Sequence, residues 1–289
     1  LHLEVADRLG ADTRDTTLAI ASCGNAALAA AVVAKAAGRK LRVFIPPNAS
    51  AAVVERLTSL GAEQVICERR ESDPPGDPCY HRFVEAVAAG ALPFSCQGGD
   101  NALALIGGQT LGWELIDQCL NDVPSDVFVQ VGGGALASSL MQAFSMAKDA
   151  GILSALPRFH AVQTHNAHPL VRAWRRMSEL AEPAQSARSH RSDFMWPWEE
   201  EPISIAGGIL DDETYDWLSI VTGLEKSEGS ALTVTEAQLQ SANTLALAST
   251  GIQVCTTGTA GFAGLQAMRT SGSLAPNVSP LVLFTGAVR

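Results

Sequence analysis

Val129-Gln-Val-Gly132-Gly133-Gly134-Ala-Leu-Ala-Ser-Ser139 sets three consecutive glycines between an apolar, β-branched run and an Ala/Leu-rich one. Read as strand, turn and helix, this stretch exposes backbone N–H groups at a helix N-terminus, a geometry that binds phosphate. An ordinary strand-to-helix turn needs at most one glycine, and each further glycine adds chain entropy that folding must overcome. Taken alone, the run is explained about as well by a tight turn with no ligand.

The pattern repeats outward from this point. Short apolar strands alternate with helical periodicity: Thr17–Ser22 then Asn25–Ala37, Leu41–Pro46 then Ala51–Leu60, Gln64–Glu68 then a helix over 80–89. After the polar turn Cys96-Gln-Gly-Gly-Asp-Asn101 a second series begins, with a long helix to about Leu120, strand Asp126–Val131, helix Leu136–Asp149, strand Phe159–Gln163 and a helix over 170–177. Strands such as Leu41-Arg-Val-Phe-Ile45 are β-branched and aromatic and are followed by glycine or proline. The expectation is therefore an α/β fold of two doubly wound three-layer αβα domains with parallel sheets, residues 1–100 and 101–289. Residues 178–201, carrying Ser, Pro, Arg, Glu and Trp196-Pro-Trp198, read as a long loop whose aromatics cap a site. A helix is expected to open at Asp211-Asp-Glu-Thr214, where acids suit its N-terminus.

The 289 residues are 47% hydrophobic and 17% charged, with a formal net charge of −10 and no Lys/Arg run, which argues against a nucleic-acid or anionic-membrane partner. No apolar stretch reaches the roughly 18 residues of a membrane span; 26–37 comes nearest and Lys35 interrupts it. The six cysteines form no CxxC pair, which favours a reduced, cytoplasmic setting over a disulfide framework or zinc site.

Two further motifs lie at strand ends. Ala21-Ser-Cys-Gly-Asn25 opens a helix apolar enough to be buried nearly all round, although Ser and Asn also serve simply as helix caps. Leu281-Val-Leu-Phe-Thr-Gly286 places a hydroxyl after a buried strand. In open α/β sheets ligands bind beyond the carboxyl ends of strands, so one crevice is expected to receive a phosphate on Gly132–Gly134, an amide from Asn25 and a hydroxyl from Thr285.

Along essentially its whole length the sequence resembles the pyridoxal-phosphate enzymes of the tryptophan-synthase-β type (fold type II), which include threonine synthase, serine/threonine dehydratases and cysteine synthase. The resemblance is carried by Ser22-Cys-Gly-Asn25 with its Ala-rich helix, Val43-Phe-Ile-Pro-Pro47, Leu57-Thr-Ser-Leu-Gly-Ala-Glu63 and Gly132-Gly-Gly-Ala-Leu136. Thr257-Gly-Thr-Ala-Gly-Phe-Ala-Gly-Leu265 and Phe284-Thr-Gly286 look most like threonine-synthase-like members. It implies pyridoxal 5′-phosphate as cofactor, its phosphate on the N–H groups of Gly132, Gly133, Gly134, Ala135 and Leu136, its phenolic oxygen by Asn25 and its pyridine nitrogen by Thr285. Ser22, Cys23 and Gly24 would meet the substrate carboxylate. A neutral hydroxyl leaves the ring nitrogen largely unprotonated, which suits elimination and replacement better than transamination.

Two residues depart from the family's pattern: Cys23 stands where relatives have Ser or Thr, and Ala26 where Thr or His is common. The Schiff-base lysine has no match either. Lys35, Lys40, Lys148 and Lys226 lack its context, Lys35 and Lys148 reading as helix-end surface residues. The expectation is that this lysine lies upstream of Leu1, that the chain is an inactive fragment, and that the intact form is a threonine-synthase-like lyase or transferase. A serine/threonine dehydratase or cysteine-synthase-like enzyme shares the same motifs. The expected partners are an amino-acid substrate and a second copy in a homodimer.

Two other readings stay open. A nucleotide-binding oxidoreductase would use the glycines for a pyrophosphate, but GxGxxG is absent and Gln163 stands where an acid would end the next strand. A non-catalytic cofactor-binding module would need no lysine. His165-x-x-His168 reads as loop histidines rather than metal ligands, with no metal expected, and Trp113, Trp174 and Trp217 as packing residues.

Overall fold

The computed structural model describes residues 1–8, 13–178, 180, 187 and 189–287, in two compact units divided at Gly107 and Gly108. The first unit contains α1 (His2–Arg8), β1 (Leu18–Ala21), α2 (Asn25–Ala36), β2 (Leu41–Ile45), α3 (Ala51–Leu60), β3 (Glu63–Ile66), α4 (Pro78–Ala88) and β4 (Leu92–Pro93). Helix α5 (Ala102–Gln118) carries the division. The second unit contains β5 (Asp126–Gln130), α6 (Ala135–Asp149), β6 (Arg158–Thr164), α7 (Pro169–Met177), α8 (Trp217–Lys226), β7 (Ser230–Val234), α9 (Glu236–Thr250), α10 (Ala260–Thr270) and β8 (Pro280–Val282).

Each unit has one four-stranded parallel sheet, ordered β3-β2-β1-β4 in the first and β7-β6-β5-β8 in the second. Side-chain alternation along the strands feeds a separate core on each face. In the first unit Leu18, Ile20, Val43 and Ile45 pack with the helix residues Ala27, Ala31, Val53 and Leu57, while Ala19 and Phe44 pack with Cys79 and Phe83 of α4. In the second unit Val127 and Val129 join α6, α7 and α8, and Phe128 and Val162 join α9 and α10. The α/β architecture with helix-covered parallel sheets is thus as the sequence predicts.

Both sheets have a topological switch point. The chain leaves β1 for β2 on one side while β4 returns on the other, and β5 stands in the same way between β6 and β8. Crevices that bind ligands open beyond the carboxyl ends of such strands. The turn 22–25 follows β1 and the glycine run follows β5.

The structure corrects three expectations. Helix α2 is not buried all round: Ala27, Ala30, Ala31 and Ala34 are buried, but Val32 and Val33 are 50% and 47% exposed. The small alanines at helical spacing bring one face down onto the sheet, and the valines fall on the opposite face. The helix expected at Asp211 opens only at Trp217, because the backbone of 211–216 pairs with the glycine turn instead, Asp216 N–H donating to Gly133 C=O at 2.9 Å. The loop 178–201, part of which lies outside the described residues, spends its aromatics on α7: the Arg172 guanidinium sits 3.7 Å above the Trp196 ring and 5.0 Å from that of Trp198, and it pairs with Glu199. Trp217 is buried, and Trp113 and Trp174 pack half-buried against the core. No helix of the described residues is long and apolar enough to cross a membrane.

Candidate functional site

The glycine turn is built from both sides. Strand β5 delivers Val131 and Gly132, and α6 begins at Ala135 with Gly134 as its N-cap at φ +104°, a conformation L side chains rarely adopt. A Cβ on Gly132 would stand 2.2 Å from Asp211 Oδ2 and 2.9 Å from Ile209 Cα. One on Gly134 would stand 2.7 Å from Ile220 Cδ1 and 3.2 Å from both Asp216 Cβ and Thr214 Cγ2. The segment 209–216 therefore lies directly on the turn. Its close packing accounts for two of the three glycines without any ligand.

What packing leaves over is a set of donors. No side chain caps α6, and from Gly132 to Leu136 the backbone N–H groups take no partner from the described residues. Unpaired amides at the start of a 15-residue helix combine hydrogen-bond donors with the positive end of its dipole. This is the donor set a phosphate monoester requires, so the residues present fit the phosphate of pyridoxal 5′-phosphate. The Asp211 carboxylate at Gly132 opposes an anion electrostatically, so the amides have to outweigh it.

Residues that show no motif hold this turn in place. Gln163, fully buried in β6, donates through Nε2 to Val131 C=O and to Thr214 Oγ1, while its Oε1 accepts from Leu170 N–H and Val171 N–H at the start of α7. It thereby ties the stem of the glycine turn, the segment 209–216 and α7 together. Its amide is committed internally, which leaves nothing at that position to contact a ribose and removes the geometric basis of the oxidoreductase reading.

Thr285 follows β8 on the side of β5 away from β6. It is exposed, and its Oγ1 accepts a hydrogen bond from Gln130 at the end of β5. The backbone around it is crowded: Gly258 and Gly286 approach so closely that a Cβ on Gly258 would lie 2.6 Å from Gly286 N, and one on Gly286 2.3 Å from Cys255 Sγ. The structure thus places Gly132, Gly133, Gly134, Ala135, Leu136 and Thr285 in the second unit, beyond the carboxyl ends of the adjacent strands β5 and β8.

Ser22, Cys23, Gly24 and Asn25 lie in the first unit, at the passage from β1 into α2. Ser22 N–H donates to Phe44 C=O, and its Oγ accepts from Gly24 N–H at 3.3 Å. Gly24 is the N-cap of α2 with no side-chain cap, and Cys23 and Asn25 are exposed. All four lysines are exposed; Lys35 and Lys148, in the last turns of α2 and α6, donate to the carbonyls of Ser59 and Ser154.

No group of three or more His, Cys, Asp or Glu among the described residues is placed to hold a metal. His168 Nδ1 is bonded to His165 C=O and its ring packs 4.6 Å from Trp198; burial holds its pKa below the ordinary histidine value.

The sequence and the fold are similar to those of known proteins. The profile of the pyridoxal-phosphate dependent enzyme family matches residues 3–286. Threonine synthase 2, chloroplastic, of Arabidopsis thaliana is 26% identical over 277 residues, covering 95% of this chain and 47% of that protein. The crystal structure of a T.th. threonine deaminase superposes with a TM-score of 0.72 at 21% identity, over 99% of this chain and 81% of that one. A pyridoxal 5′-phosphate-dependent aspartate racemase superposes with a TM-score of 0.73 at 20% identity, over 100% of this chain and 78% of that one. The chain spans about half the length of the curated relatives it matches.

Proposed function

We propose that this chain, which belongs to the pyridoxal-phosphate dependent enzyme family, holds its cofactor on the second unit and serves a β- or γ-elimination or replacement of an amino acid, in the manner of a threonine synthase. The observation that carries the cofactor placement is the row of amides from Gly132 to Leu136, unpartnered among the described residues, at the start of α6. These amides bind the phosphate. The Thr285 hydroxyl of the second unit would serve the pyridine nitrogen; as the family resemblance implies, Asn25 would serve the phenolic oxygen, and Ser22, Cys23 and Gly24 the substrate carboxylate through a hydroxyl and the amides that open α2. When bound, the cofactor supplies an electron sink for the charge left at Cα.

Thr285 carries no charge, so it leaves that sink moderate, which suits loss of a leaving group better than transamination. Cys23 is a weaker hydrogen-bond donor than a hydroxyl and loosens the hold on the carboxylate. The six cysteines form no disulfide with one another, which supports a reducing, cytoplasmic setting. A homodimer belongs to the same proposal. A serine/threonine dehydratase or a cysteine-synthase-like enzyme uses the same contacts and is distinguished by substrate alone.

Because none of the four lysines has the Schiff-base context, all four being exposed and three of them lying in the last turns of helices, the 289 residues on their own are inactive in elimination. The test is a panel of amino acids bearing leaving groups at Cβ or at Cγ, given to the protein as its cell makes it and to the 289 residues alone. Release from a Cγ substrate with formation of threonine supports the threonine-synthase-like reading, and release from serine or threonine as a 2-oxo acid supports the dehydratase. Release by the 289 residues alone refutes their inactivity, and no release by the natural protein favours a non-catalytic module.

A further inference from the structure

Gln130 closes β5 and is 5% exposed. Its Nε2 donates to Leu283 C=O at 3.3 Å, to Gly258 C=O at 3.5 Å and to Thr285 Oγ1 at 2.5 Å. The two carbonyls can only accept, so they fix which end of the amide faces them. The other end, Oε1, is buried with no partner among the described residues, and a Cβ on Gly261 at the start of α10 would stand 3.0 Å from it. A buried acceptor left unpaired is destabilising, and an apolar side chain of the same length would carry no such penalty. The informative end of this side chain is therefore the one that donates.

We propose that Gln130 is a positioning residue that sets the hydrogen-bond polarity of Thr285. By donating into Oγ1 it occupies one lone pair of the hydroxyl and leaves the hydroxyl's own hydrogen for a partner on the exposed side. Thr285 is then presented as a donor. A donor there pairs with an unprotonated pyridine nitrogen, whereas a pyridinium N–H would take the remaining lone pair and strand the hydroxyl hydrogen. Gln130, a residue that touches no cofactor, thus holds the ring nitrogen unprotonated through the hydroxyl it faces. Without the amide, Thr285 donates into the freed Leu283 or Gly258 carbonyl and turns a lone pair toward the ring. The inference rests on the cofactor placement proposed above.

The test uses the 289-residue chain loaded with pyridoxamine 5′-phosphate labelled with nitrogen-15 in its ring, which needs no lysine to bind. Nitrogen-15 NMR from about pH 6 to about pH 9 reads the protonation of the ring directly. The wild type should show an unprotonated ring nitrogen throughout. Q130M, which fills the same space without a donor, and Q130N, whose amide is too short to reach Thr285, should each show a ring nitrogen that becomes protonated within that range. Either folded variant giving the wild-type signal at every pH overturns the role of Gln130 and leaves the cofactor placement standing. A wild type that shows no bound signal overturns both.

Discussion

Replacing Gly134 with alanine perturbs the glycine turn that is proposed to hold the phosphate. Its φ of +104° lies where an L side chain costs about 1–2 kcal/mol. The added methyl would also meet Ile220 Cδ1 at 2.7 Å and two more carbons at 3.2 Å, and Ile220 is fully buried and cannot swing clear. Forcing one methyl into a packed site costs about 1–3 kcal/mol, so G134A should lose about 2–5 kcal/mol in all. The control is Gly151, at φ +74° just past the end of α6, where a Cβ meets nothing within 4 Å. G151A incurs the backbone penalty alone, about 1–2 kcal/mol. Urea unfolding of both variants, compared at unchanged m, separates packing from backbone. Pyridoxamine 5′-phosphate should bind at least about tenfold more weakly to G134A, because the turn must shift to admit the methyl, and normally to G151A. Equal destabilisation by the two substitutions, or unchanged ligand affinity in G134A, would refute the packing argument.

Asp211 supplies a second test: removing the carboxylate beside Gly132 in D211N should tighten pyridoxamine 5′-phosphate by about fivefold, the worth of one unit charge at about 4 Å in a water-like medium. Calorimetric titration checks it, and weaker binding would show that the carboxylate supports the turn more than it repels the ligand. At the amino end of the same sheet, Asp126 Oδ1 bonds to His160 Nε2 at 2.9 Å and His160 Nδ1 to Ser230 Oγ at 2.8 Å. Burial pushes the Asp126 carboxyl up, but hydrogen bonds from His160, Ser125 and Arg158 outweigh it and hold it below the usual range; burial likewise holds His160 below the ordinary histidine value of 6.5. Both groups bind fewer protons folded than unfolded, so stability is full above pH 6.5 and falls as the pH drops below it, first through His160 and then through Asp126. H160N should flatten the fall in urea midpoint between about pH 7 and about pH 5, and an unaltered slope would contradict the assignment.

Much of the fold was legible because parallel strands and their covering helices announce themselves by periodicity and by terminal glycines. Gly132–Gly134 and the strands on either side of them are such signals. The parts that were not legible depend on tertiary pairing. Asp211–Asp216 carries acids that suit a helix start, yet the glycine turn offers Gly133 C=O to Asp216 N–H, and the helix waits until Trp217. Val32 and Val33 sit within an unbroken apolar run, and only the packing of four alanines shows which face is outward. Strand β4 is two residues long and has no pattern to find. Gln130 and Gln163 are lone amides in apolar strands; a glutamine at a strand's carboxyl end beside a glycine run is a signal that would have singled out Gln130, and Gln163 has no such neighbour. Distances also show that Gly132 and Gly134 answer first to the segment packed on them, so the phosphate reading rests on the unpaired amides rather than on the glycine count.

The central claim is that the amides from Gly132 to Leu136 hold a phosphate. Amide proton–nitrogen NMR of the 289-residue chain, titrated with pyridoxamine 5′-phosphate and separately with pyridoxamine, tests it most directly. The phosphorylated ligand should move the Gly132 to Leu136 amides in a saturable way, and the unphosphorylated one should leave them in place. Equal shifts with both ligands, or shifts that avoid this run of amides, would contradict it.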